Sequence, residues 1–244
     1  MHLRYLMLGL ALLLSLGVAQ AESSTIITAE DILPLKKKSD KGDADAQYRL
    51  GIAYLSGMGG LSPDPLRGMH YIEEAGKAGK REAQFFMGAM LHGTNARTKF
   101  SDQTKTKEQL KWLALSYRQG CAGSAGLIAG YYVTMKGPQS PKALEWFMKA
   151  AKGGDPYSQA LLAKIAKDLK NLVESYAWTA LTYREHPELK SAKGQAEALM
   201  KEMNAEDQAK AEALAQQFVR DYGRKGDYPF CMVGALKAIS PLKY

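Results

Sequence analysis

The chain has 244 residues, a formal net charge of +8 at pH 7, 46% hydrophobic residues and two cysteines. That length and apolar content suit one folded domain or one repeat array and exclude a wholly disordered chain, while two cysteines exclude a disulfide-dense scaffold and a cysteine-based zinc cluster. The positive balance favours an acidic partner, but it serves solubility equally well without one.

Residues 1–21 read as a secretory signal. Arg4 supplies a positive start, Leu6 to Val18 is an apolar stretch too short for a comfortable membrane span, and Ala19-Gln20-Ala21 places small residues where a signal peptidase cuts. The segment after Glu22 is then expected to fold in the periplasm, with no integral membrane segment once the signal is removed. Residues 22–40 form a lead-in with a weak helix at Ala29–Lys37, interrupted by Pro34. Its Lys36-Lys37-Lys38 is the only run of cations in the chain.

From about Lys41 a pattern repeats. The first-helix version is Ala46, Leu50-Gly51 and Tyr54, then Ala83, Met87-Gly88 and Leu91, then Ala125, Ala129-Gly130 and Val133. A fourth copy, Ser158, Leu162-Ala163 and Ala166, has lost its glycine. The second-helix version is an aromatic residue with glycine eight positions later: Tyr71 and Gly79, Trp112 and Gly120, Trp146 and Gly154; the fourth, Trp178, has His186 there instead. Successive aromatics lie 41, 34 and 32 residues apart. Self-similarity at such a period marks stacked helix pairs, because a pair this short cannot bury its apolar stripe alone. Gly51, Gly88 and Gly130 should let paired helices approach, and the aromatics should fill the space between them. Gly79, Gly120 and Gly154 should end helices in the left-handed conformation, and Asp43 and Asp155 should cap helix starts.

The run Ala46-x-x-x-Leu50-Gly51-x-x-Tyr54-x-x-Gly57 resembles the opening of a Sel-one-like repeat, a relative of the tetratricopeptide repeat. Leu61-x-x-Asp64-x-x-Arg67-Gly68-x-x-Tyr71 is similar to that family's loop and second-helix start, and Lys142-Ala143-x-x-Trp146-x-x-Lys149-Ala150-Ala151-x-x-Gly154 to its second helix. The second copy departs by an insertion, Thr94 to Thr106, in its inter-helix loop. The resemblance implies an all-α fold, a right-handed α-solenoid of about four helix pairs over residues 41–186, acting as a protein-binding scaffold. Periplasmic members include immunity proteins that neutralise antibacterial effectors, such as type VI secretion phospholipases. An envelope-assembly or signalling scaffold, for instance in a flagellar or export machine, is the alternative reading.

Residues 187–244 read as capping helices and a tail. One helix spans Ala192 to Met203. A second, capped by Asn204, runs from Ala205 to about Tyr222, and its stripe Ala209, Leu214, Phe218, Tyr222 should cover the end of the stack. Cys231 lies in the apolar tail, 110 positions after Cys121. The two either form a disulfide or stay as separate buried thiols; spacing does not decide.

The chain carries no His-x-x-x-His pair, no Gly-x-Ser-x-Gly elbow and no Lys-Ser/Thr after the glycines at Gly57, Gly59 and Gly60. We assign no catalytic residue, cofactor or metal, and expect no nucleic-acid partner, because the positive charge is dispersed. The remaining face of the first helices is expected to form a groove for a protein partner: Asp45, Tyr48, Ile52 and Leu55, then Glu82, Phe85 and His92, then Leu127 and Tyr131, then Tyr157 and Lys164. The aromatics among them are expected either to anchor the partner or to pack between helices.

Overall fold

The computed structural model describes residues 27–137, 139–187 and 189–223. Among them are eleven α-helices and no strand, the all-α class expected from the repeat period. The described residues divide into two compact units, 27–80 and 81–223. The signal segment and Cys231 lie outside the described residues.

In the first unit, α1 (Ala29–Ser39) precedes the pair α2 (Ala44–Ser56) and α3 (Pro65–Lys77). The weak helix expected in the lead-in is one continuous helix over Ala29–Ser39. It starts on a capping box at Thr28 and Asp31 and keeps Pro34 inside it, and Ile32 and Leu35 pack with Ala46 and Ala53 of α2. The α2–α3 pair is clasped by glycines: a Cβ at Gly51 would lie 2.8 Å from the Gly68 carbonyl oxygen and 2.6 Å from Ile72 Cγ1. Any side chain there forces the two backbones apart, which is the close approach the sequence implied. Asp43 caps α2 by accepting from the Ala46 amide, and Asp64 caps α3 by accepting from the Arg67 amide.

The second unit continues with α4 (Arg81–Arg97) and α5 (Gln103–Arg118), α6 (Ala122–Lys136) and α7 (Pro141–Lys152), and α8 (Pro156–Asp168) and α9 (Leu172–Glu185). The helices α10 (Lys190–Glu202) and α11 (Ala205–Tyr222) follow. Gly88 approaches Leu113 as closely as Gly51 approaches Ile72, but Gly130 meets only the His92 ring of α4, at ordinary contact distance. In that copy the glycine makes room for a histidine of the preceding first helix, not for its own partner helix. Gly79, Gly120 and Gly154 all have positive φ, as expected of residues that end helices. The repeat aromatics divide: Trp112 and Trp178 are buried, whereas Tyr71 and Trp146 are half-exposed.

Asn204 starts α11 by accepting from the Asp207 amide. The buried stripe of that helix is Ala211, Ala215 and Phe218, with Leu214 and Tyr222 beside it; Ala209 is exposed, one helical step off the face we assigned to it. Phe218 and Tyr222 close over Trp178 at centroid distances of 4.5 and 5.9 Å. The apolar end of α9 is thereby covered, as the last repeat of an array requires.

Candidate binding surface

The expected groove residues do not share one environment. In α2, Tyr48 and Ile52 are buried, so neither offers a face to a partner in this structure. Leu55 packs at the helix-pair interface, against Gly68 of α3. The reason is periodic: Leu55 is four residues from Gly51 and shares its packing face. Asp45 is exposed and ion-paired to Lys80 at 2.7 Å.

In the second unit, Phe85 is also core, packed with Cys121, Ala89 and Leu127. It joins successive first helices rather than standing free. His92 and Tyr131 are half-buried, and what meets them is Phe100, from the insertion. The Phe100 ring is 5.6 Å from His92 and 5.0 Å from Tyr131, edge-on to the latter. The insertion is mostly helix, not loop: α4 runs on to Arg97, and Lys99 and Phe100 adopt left-handed φ values of 50° and 58° before Asp102 caps α5. Beneath the ring, the Asn95 amide donates to Gln109 Oε1 at 2.9 Å, and Gln109 Nε2 lies 3.0 Å from His92 Nδ1. Burial holds the His92 pKa below its ordinary value. Glu82 pairs with Arg81. Tyr157 is 72% exposed, and Lys164, seven residues on along the same face of α8, pairs with Asp168 at 2.8 Å.

A cluster that sequence reading missed lies in the first unit. The Tyr54 ring is buried and stacks on Tyr71 at 5.7 Å with the planes 3° apart. Its hydroxyl accepts from Arg67 Nη1 at 3.3 Å, and the guanidinium sits 5.0 Å from the ring centroid. Lys36, from α1, lies beside Tyr54 and Arg67 and lines the same two hollows. The hydrogen bond from Arg67, with help from Lys36 and against the opposing effect of burial, lowers the Tyr54 pKa. Two hollows open on either side of these three residues. One, of about 670 Å³, is polar and includes Asp40, His70 and Glu74. The other, of about 490 Å³, has Leu61, Pro63, Pro65 and Leu66 on its wall. The sequence places Tyr54 and Arg67 within the repeat motif and Lys36 in the cation run ahead of it; that all three line the same hollows depends on how α1 docks.

Cys121 is disulfide-bonded, and no free cysteine occurs among the described residues. Its pairing with Cys231, the other cysteine of the sequence, is a proposal, because that residue lies outside the described set. Among the described residues no cluster of three or more His, Cys, Asp or Glu is arranged to hold a metal ion, and no helix is long and apolar enough to cross a membrane.

Residues 44–80, 81–105 and 135–155 match the family model described as Sel1 repeat. No curated protein matches the chain. Among solved structures it resembles a protective antigen present in uropathogenic Escherichia coli strains that displays an SLR fold, at 20% identity and a TM-score of 0.61. That match covers 86% of this chain and 43% of the antigen, so the chain spans less than half the length of that protein. A Sel1 repeat protein from Oxalobacter formigenes is similar at 20% identity and a TM-score of 0.54, over 78% of this chain and 79% of that one. Likeness at this identity is likeness of fold: three stretches of the chain are similar to the Sel1 repeat, and its helix-pair architecture resembles that of both structures.

Proposed function

We propose that this chain is a protein-interaction module that works in the periplasm, and most concretely an immunity protein that binds and neutralises an antibacterial effector such as a type VI phospholipase. The observation that carries the interaction reading is the array of Sel1-like repeats itself, a stack of capped helix pairs whose recurring pattern is spent on packing. What remains for function is surface, and that surface presents aromatic, apolar and basic side chains: Tyr157 and Leu66 stand exposed, and Lys36 and Arg67 line the hollows beside Tyr54. The periplasmic part rests on the N-terminal signal pattern.

Deleting the gene and challenging the cells with siblings that deliver effectors tests the immunity role. Cells should become sensitive to one effector and regain resistance when the protein is restored. Full resistance to every effector contradicts it. In that case, fluorescent fusions fixed as envelope foci would favour a scaffold of a flagellar or export machine, and a diffuse signal would not. Fractionation that leaves the protein in the cytoplasm contradicts the periplasmic part alone.

A further inference from the structure

The geometry points to the Lys36–Tyr54–Arg67 face as the place where an acidic segment of a protein partner docks, its carboxylate between Lys36 and Arg67 and an adjoining apolar side chain in the hollow beside Leu66. This rests on the interaction-module reading and deepens it.

Two cations of one sign stand beside one phenol. Arg67 of α3 donates to the Tyr54 hydroxyl, and Lys36 of α1 lines both hollows together with that pair. Like charges brought together repel, and a neutral hydroxyl does not offset them; an anion seated between them does. Arg67 has one counterion, Asp64, at 3.4 Å, and that pair is mostly exposed, with 56% and 38% of the two side chains accessible. An exposed pair of this kind is worth little and yields readily to a competing carboxylate. The described ion pairs do not use Lys36. The acids of the polar hollow do not fill the role: Glu74 is held by Lys77 at 3.0 Å, and Asp40 lines only the polar side.

The neighbouring hollow sets the second half of the specificity. It shares Lys36, Tyr54 and Arg67 with the first and adds Pro63, Pro65 and Leu66. Leu66 is 87% exposed, the most exposed large apolar side chain described. The prolines hold this wall rigid at little entropic cost on binding. Tyr54 is a positioning residue: its buried ring, stacked on Tyr71, fixes the hydroxyl that holds Arg67 on the wall it shares with Lys36. A segment pairing Glu or Asp with a neighbouring Leu or Ile satisfies both features at once, which neither a bare anion nor a plain apolar peptide does.

The test uses the full mature chain and two acetylated, amidated hexapeptides, Ser-Gly-Glu-Leu-Gly-Ser and its Gln twin, titrated at low salt and followed by backbone amide NMR. The Glu peptide should shift the amides of Lys36, Tyr54 and Arg67, binding at least fivefold more tightly than the Gln twin and more tightly than acetate alone. Lys36→Met and Arg67→Met should each weaken it at least fivefold with the melting temperature held. Tyr54→Phe, which keeps the ring, should weaken it about threefold. Equal binding of the twins, shifts elsewhere, no binding, or an effect that tracks a lost melting temperature overturns the proposal. So does preferential, Lys36- and Arg67-dependent binding to phosphatidylglycerol vesicles, which would assign the face to lipid. Once a physiological partner is in hand, equal binding by the wild type and the Lys36→Met/Arg67→Met double variant removes this site while leaving the module reading intact; a wild type that binds no protein at all removes the module reading itself.

Discussion

The pairs α2–α3 and α4–α5 begin from the same repeat and finish their surfaces in opposite ways. In α2–α3 a glycine clasp brings the backbones together, and the aromatic stack Tyr54–Tyr71 ends in a hydroxyl that holds Arg67 beside Lys36 on the wall of two hollows. In α4–α5 an insertion lengthens α4 and lays Phe100 over His92 and Tyr131, above an inward-facing Asn95–Gln109–His92 network. One pair leaves polar groups facing outward; the other covers His92 and Tyr131 with its own chain. A helix-pair repeat therefore specifies packing, and residues from outside the signature, Lys36 and Phe100, set how its surface is finished.

The difference is breakable by mutation. Phe100 is 4% exposed, and Phe100→Ala should cost about 3 kcal/mol by emptying the space between His92 and Tyr131; chemical denaturation measures it, and a loss below ~1 kcal/mol would mean the ring is not filling that space. Gln109→Leu should cost about 1–3 kcal/mol, because it leaves the buried Asn95 amide without its acceptor, with the same assay as the check. Lys99→Gly should stabilise by up to about 1 kcal/mol, since a left-handed lysine gives way to a residue that takes that conformation freely. Tyr54→Phe, on the open pair, should change stability by no more than about 1 kcal/mol, its effect appearing in binding instead.

The filled pair also makes a pH signature. The His92 pKa is depressed in the folded state by burial, so its unfolded form takes a proton first as pH falls. Its contribution to stability is whole above the unfolded value, about 6.5, and is lost as pH falls through the folded value. Melting temperature measured between pH 7.5 and 5 should drop more steeply in the wild type than in His92→Gln, and Phe100→Ala should shrink the difference by wetting the ring.

Much of the fold was legible because its determinants are local. Asp43, Asp155 and Asn204 each cap a helix by bonding an amide three residues on, and a cap needs nothing beyond its own turn. Leu50 and Trp178 follow from periodicity and are buried. The groove was less legible. Helical period gives faces but does not rank them: Leu55, expected in the groove, packs on Gly68, and Phe85, expected either to anchor a partner or to pack between helices, does the latter against Leu127. Phe100 and Lys36 lie outside the repeat pattern and are brought into place by an insertion and by the docking of α1; Arg67 and Tyr54 lie within the pattern, but their neighbour Lys36 was not legible from it.

The central contrast, an open face on α2–α3 and a filled one on α4–α5, is read most directly by labelling histidines with diethylpyrocarbonate and measuring the rate at each by mass spectrometry. His70 is exposed and lines the polar hollow, whereas His92 lies half-buried beside Phe100. His70 should label at least tenfold faster than His92, the Glu-containing hexapeptide should slow His70 alone, and Phe100→Ala should accelerate His92 alone. Equal rates in the wild type, or protection by the peptide at His92 and not at His70, would contradict the account.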